Sequence, residues 1–108
     1  MSYIIILITC PGEKEAKRIC RALLNAKLAA CVNIIKAVES FFWWQGKIDT
    51  AKEALLVVKS KRVKLAAIIK LVKSIHSYQV PEIIALPIIG GIKSYLSWID
   101  DSCADKQK

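Results

Sequence analysis

The sequence is poor in the residues from which most catalytic and metal centres are built. It has a single histidine, His76, so one chain cannot supply a histidine-based catalytic triad or a multi-histidine metal site. Its four cysteines, Cys10, Cys20, Cys31 and Cys103, form no Cys-x-x-Cys pair, and their spacing matches no zinc template. No phosphate-binding loop, nucleophile elbow or paired-acid motif is present either. We therefore expect no enzymatic activity.

Long hydrophobic runs are also absent, since the run Tyr3–Ile8 is too short to cross a membrane. No secretion signal is recognisable, and unpaired thiols suit a reducing compartment, so we expect a cytoplasmic protein without a membrane partner. The 108 residues predict a single domain over residues 1–108. Only the tail, Asp105 to Lys108, is expected to fray.

Acidic residues are few, and 17 Lys and Arg against 9 Asp and Glu give a net charge of +8. A polyanion-binding module is one interpretation of this charge. A charged outer face in contact with solvent is the commoner explanation. The chain shows no RNP1-like pattern, and its aromatics do not form a platform on a sheet, so we expect no specific nucleic acid partner.

The sequence does have abundant sheet-forming residues, and the stretch from Ala30 to Ser60 predicts a long hairpin that turns at Gln45-Gly46-Lys47. Each arm holds about fifteen residues and spans roughly 50 Å, whereas a compact chain of this size has a radius of gyration of only ~13 Å. The hairpin must therefore bend sharply or project. Its apolar tip, Phe41 to Trp44, predicts a contact with another copy of the chain.

The remaining patterns predict an α+β fold with the order β-α-β-β-α-β followed by a terminal helix. This is the ferredoxin-like arrangement, with an antiparallel sheet in the strand order 4-1-3-2. Pro87 indicates an edge position for the fourth strand. The predicted elements outside the hairpin are a strand over Tyr3–Ile8, a break over Thr9–Gly12, helices over Glu13–Lys27 and Lys61–His76, a strand over Glu82–Ile89 and a helix over Lys93–Ser102.

The first and third strands are apolar on both faces, yet two helices cover only one face of such a sheet. The terminal helix is too short to cover the other face alone. Burying apolar surface is worth roughly 25 cal/mol per Å², so packing of sheets between subunits is the simplest solution. The patterns do not decide between a dimer and a trimer.

Few residues are candidates for chemistry. His76 is either a surface residue near a helix C-terminus or a ligand for a soft metal. Cys31 is more often a small buried residue than a ligand, but it is the second metal candidate. Cys10 is expected in an exposed loop, and Glu53 is expected in an ion pair across strands or subunits.

Four motifs resemble those of the CutA family, the divalent-cation tolerance proteins. Leu28–Ile34 resembles its LAACVNI signature, and Ser40–Ile48 is similar to its SxYxWxGKI hairpin tip. His76–Ile84 resembles its HPYxxPE motif, and Tyr95–Ile99 its closing YLxW segment. The resemblance covers essentially the whole chain.

This resemblance implies a tightly packed, PII-like homotrimer whose hairpins embrace neighbouring subunits, with Phe42, Trp43, Trp44, Tyr78 and Glu82 at the interface. It also implies a link to copper(II) or another divalent cation without an established enzymatic activity. A second function that it implies is a small-molecule sensor with ligands in clefts between subunits.

The chain departs from the family pattern at several positions. Phe42 replaces the tyrosine of the tip, and Ser77 replaces the proline after the histidine. Ile8 and Ile75 occupy two positions of proposed copper ligands, so His76 alone matches that set.

Overall fold

A computed structural model describes residues 2–104 and shows a four-stranded antiparallel sheet with three helices. The sheet order is β2-β3-β1-β4, which confirms the predicted order 4-1-3-2 and places β4 at an edge. The predicted fraying of residues 105–108 lies outside the described residues. The elements are β1 (Tyr3–Cys10), α1 (Glu13–Asn25), β2 (Cys31–Trp44), β3 (Lys47–Lys61), a 3-10 turn (Arg62–Lys64), α2 (Leu65–Ile75), β4 (Ile83–Ile88) and α3 (Lys93–Ser102).

Strand β1 is longer than the sequence predicts, because Thr9 and Cys10 continue the ladder opposite Leu55 and Ala54. The predicted break therefore begins only at Pro11. Cys10 is fully buried in the core, so its predicted exposure in a loop is wrong.

The second helix is shorter than predicted at its start. Lys61 still pairs with Tyr3 in the sheet, and the Arg62 N–H donates a hydrogen bond of 3.0 Å to the Ser2 carbonyl. These sheet contacts hold the backbone extended, so α2 begins only at Leu65 after the 3-10 turn. Helix α1 likewise ends at Asn25, because Lys27 adopts a left-handed conformation with φ of 58°.

One face of the sheet packs against α1 and α2 and forms the core. Because successive side chains of a strand point to opposite faces, every second residue of β1 and β3 lies on this side. The side chains that are completely buried there include Ile6, Ile8, Leu56 and Val58 from the strands and Ile19, Leu23, Ile68 and Val72 from the helices.

The opposite face, called here the open face, is also apolar but is only partly covered. Its members Ile35, Ile84 and Leu86 remain 48%, 51% and 48% exposed in the single chain. Helix α3 covers only one end, where the Tyr3 hydroxyl donates a 2.5 Å hydrogen bond to Asp100. The predicted surplus of apolar sheet surface is therefore present in the single chain.

The hairpin turns through Gln45 and Gly46, whose φ angles of 51° and 79° fit the two-residue type I′ turn. Lys47 pairs with Trp44 and already belongs to β3. Lys36 and Ala37 form a bulge in β2 between Ile35 and Val38. Bulges bend a strand and increase its twist.

The hairpin also projects, as the dimensions of 48 × 29 × 22 Å and the radius of gyration of 14.6 Å show. Its tip is apolar and open to solvent, with Phe41 70% and Trp43 72% exposed. In the described part of the chain, residues 2–104, no helix has both the length and the apolar character needed to cross a membrane.

Candidate functional site

A cleft of about 740 Å³ lies between the outer half of the hairpin and the segment 77–82, which connects α2 to β4. Four aromatic side chains line it: Phe41, Phe42, Trp44 and Tyr78. Its polar lining comes from Thr9, Ser40, Glu53, Ser77, Gln79 and Glu82. The bulge and the type I′ turn position the hairpin wall, and the contacts of His76 position the other wall.

Glu53 lies at the base of the cleft and is only 8% exposed. The Ser40 hydroxyl donates a 2.6 Å hydrogen bond to its Oε1, and the Tyr78 hydroxyl donates one of 2.8 Å to its Oε2. Ser40 is the diagonal neighbour of Glu53 across the hairpin, since it pairs directly with Ala51. The carboxylate thus joins both walls of the cleft.

Tyr78 is held neutral by this arrangement. Its removal from solvent, followed by the hydrogen bond to Glu53 and the negative charge of that group, raises the pKa of Tyr78 to about 12. An ordinary tyrosine is already neutral at physiological pH, and this shift extends the range in which Tyr78 donates its hydrogen bond to above pH 10.

His76 anchors the segment that carries Tyr78. Its Nε2 lies 2.8 Å from the Thr9 carbonyl, and its Nδ1 accepts a 2.9 Å hydrogen bond from the Tyr78 N–H. These partners assign the neutral tautomer with the proton on Nε2. Glu15 Oε2 lies 3.4 Å from Nδ1 and accepts a hydrogen bond from the Ser77 N–H. The His76 side chain is completely buried, so its interpretation as a surface residue is wrong.

The donors of one chain do not fit a resident copper ion. Both ring nitrogens of His76 are already hydrogen-bonded, so a metal would have to displace one of these partners. Within residues 2–104, no group of three or more His, Cys, Asp and Glu side chains is placed to hold a metal. Cys31 is half-buried at the start of β2 and lies near Tyr95. Burial is the main cause that raises the pKa of Tyr95, and its interaction with the Cys31 thiol is the smaller one.

The predicted interface residues fall into two groups. Phe42, Trp44, Tyr78 and Glu82 meet at the cleft, whereas Trp43 does not line it and lies exposed at the tip. The subunit contacts predicted for these residues stay a prediction.

Sequence reasoning missed the Ser40–Glu53–Tyr78 network. The hairpin register would have placed Ser40 near Glu53, but nothing local to the sequence indicates that Tyr78 reaches the same carboxylate. Within residues 2–104, Glu53 forms no ion pair across strands and accepts these two hydroxyl donors instead. An ion pair of Glu53 across subunits stays a prediction.

Known proteins resemble this chain over nearly its whole length. The family model "CutA1 divalent ion tolerance protein" matches residues 4–102. The divalent-cation tolerance protein CutA of Archaeoglobus fulgidus is 50% identical over 90% of this chain and 94% of its own length. Protein CutA 1, chloroplastic, of rice is 44% identical over 92% of this chain, which spans only 56% of the rice protein.

Solved structures agree with the fold. The crystal structure of rice CutA1 has a TM-score of 0.92 at 43% identity and covers 94% of each chain. The structure of the periplasmic divalent cation tolerance protein CutA from Archaeoglobus fulgidus has a TM-score of 0.91 at 48% identity and covers 94% of this chain and 98% of that one. On this sequence and structural similarity, the chain belongs to the CutA1 divalent ion tolerance family.

Proposed function

We propose that the protein is a non-enzymatic homotrimer of the cytoplasm that acts in divalent-cation tolerance. The observation that carries the assembly is the open face of the sheet, where Ile35, Ile84 and Leu86 are each about half exposed in one chain. Apolar side chains that stay exposed across one face of a sheet mark a protein contact, and a neighbouring sheet would cover them.

The hairpin tip supports the same proposal with a second surface. Phe42, Trp43 and Trp44 are 37%, 72% and 52% exposed at the end of a hairpin that projects from the domain. We place these residues, together with Tyr78 and Glu82, in contacts with a neighbouring subunit of a PII-like trimer. The cytoplasmic location is supported by four free cysteines within the described residues.

The assembly is tested by light scattering coupled to size exclusion, from micromolar to nanomolar protein. A mass of three chains at every concentration is the expected result. A soluble single-chain species with its circular dichroism unchanged would overturn the proposal, because the open face would then be stable in water.

For the cation, we propose copper(II), with His76 as the ligand to be tested first and Cys31 second. Since one chain lacks a complete ligand set, side chains of neighbouring subunits would have to complete it. Copper(II) is titrated into the trimer and into His76→Ala and Cys31→Ser variants, with Cys20→Ser as the matched thiol control. Equal affinities in the wild type and His76→Ala would remove His76 from the site.

A second candidate function, a small-molecule sensor, is favoured by the cleft. Its volume of about 740 Å³ lies within the usual range of ~300–1,000 Å³ for ligand sites, and its lining combines aromatic walls with a few fixed polar groups. A thermal-shift screen of nucleotides, carboxylates and amines without added metal separates the two functions. A clear stabilisation in that screen favours the sensor.

A further inference from the structure

We propose that the cleft between the hairpin and residues 77–82 binds a small organic cation, an ammonium or guanidinium group carried on an apolar body. This inference deepens the sensor function proposed above and rests on it, because it names the chemical class of the ligand. It does not involve the metal candidates.

The first observation is that Glu53 lacks a positive partner. Its carboxylate is 8% exposed and accepts hydrogen bonds from two neutral hydroxyl groups. Within residues 2–104, neither carboxylate oxygen forms an ion pair with a Lys, Arg or His side chain. Buried charges are normally paired, so the compensating positive charge is expected from outside these residues.

The second observation is the charge of the lining. The chain carries 17 Lys and Arg, yet the described residues that line the cleft include two carboxylates, Glu53 and Glu82, and no Lys or Arg. Because both charged residues of this lining are acidic, the cleft locally favours cations over anions even in a basic protein. The occupant is therefore expected to be positively charged.

The third observation is the aromatic wall. Phe41, Phe42, Trp44 and Tyr78 surround the same space, and faces of aromatic rings attract cations through their quadrupoles. The volume of about 740 Å³ in the single chain leaves room for a ligand body beyond its charged group. An organic cation satisfies the carboxylates and the rings together.

The test compares three probes that share one ring: benzylammonium, benzyl alcohol and benzoate. Each probe is titrated into the full chain at neutral pH, and its binding is measured by calorimetry and by tryptophan fluorescence, since Trp44 lines the cleft. Benzylammonium is expected to bind at least about tenfold more tightly than the neutral and anionic probes, as charge-assisted hydrogen bonds are roughly twice as strong as neutral ones.

Three variants locate the binding. Glu53→Gln keeps an oxygen acceptor and removes the charge, and it is expected to weaken benzylammonium about tenfold or more. Glu39→Gln is the matched control, because it removes the same charge from the same hairpin but does not line the cleft. Glu82→Gln at the exposed rim leaves the buried network intact and is expected to weaken binding about threefold, as exposed ion pairs do.

Equal binding of all three probes, or equal losses in Glu53→Gln and Glu39→Gln, would overturn the inference. An intact trimer that binds none of the probes would overturn it as well. In that case, a weaker trimer in Glu53→Gln would indicate that a neighbouring subunit supplies the positive charge. Light scattering on the same samples keeps the two proposals apart. A monomer that binds benzylammonium refutes the assembly, and a trimer that ignores it refutes the ligand.

Discussion

Truncating Ile84 on the open face should weaken assembly while leaving the fold of each chain intact. Ile84 pairs with Leu7 in the sheet, yet 51% of it is exposed in the single chain. Its remaining surface is removed from water only if another subunit covers it. Ile84→Ala therefore reports on the covering of the open face.

The expected loss of assembly free energy in Ile84→Ala follows from that exposure. Complete burial of an Ile side chain is worth about 1.5–3 kcal/mol, so covering the exposed half should contribute about 1 kcal/mol per subunit. Three subunits lose about 3 kcal/mol together, which corresponds to roughly a 150-fold larger dissociation constant of the trimer. Because this constant scales with the square of concentration, the midpoint of dissociation should rise about tenfold.

Analytical ultracentrifugation across a dilution series measures this midpoint. The matched control is Val63→Ala, since Val63 is 81% exposed on the 3-10 turn, away from the open face. The control should leave the midpoint unchanged. Equal midpoints in the two variants would refute the argument that assembly covers the open face.

Four further predictions concern the hairpin and the cleft. Trp44→Ala should lower the trimer fraction on dilution more than Trp98→Ala if the tip packs between chains; equal fractions contradict this. Tyr78→Phe removes a hydrogen bond to the buried Glu53 carboxylate and should lower the free energy of unfolding in urea by about 1.5–3 kcal/mol. Because the folded pKa of Tyr78 is raised from 10.0 to about 12, its contribution is complete below pH 10 and is lost as pH rises towards 12. Over that window the wild type should therefore lose about 1 kcal/mol more stability than Tyr78→Phe, after allowance for solvent screening; parallel curves contradict this. Ala37→Gly should raise the unfolding free energy by up to about 1 kcal/mol, because Ala37 has a φ of 58° in the bulge; a loss of stability contradicts this.

The sheet could be predicted because its evidence is local and repeated. Continuous apolar runs identify β1 and β3 as central strands, and Pro87 identifies β4 as an edge. The element boundaries were less predictable. Thr9 and Cys10 look like a turn in isolation, but pairing with Leu55 and Ala54 keeps them in the strand.

The candidate site was predicted only in part. The aromatic tip and the motif that contains His76 are recognisable in the sequence. The sequence also weakens the case for a copper site, because Ile8 and Ile75 have no donor atom for a metal. The burial of His76 could not be predicted, because it depends on the Thr9 carbonyl 67 residues away.

The sequence by itself determined the order of the elements, the family and the excess of apolar sheet surface, since each follows from the identity and spacing of neighbouring residues. Only the tertiary structure decided that Ser40 and Tyr78 both donate hydrogen bonds to the Glu53 carboxylate and that both ring nitrogens of His76 are hydrogen-bonded within the chain. Those contacts join side chains on separate elements, and their distances depend on the bulge in β2 and on the path of the segment 77–82, which the spacing of residues in the sequence does not specify.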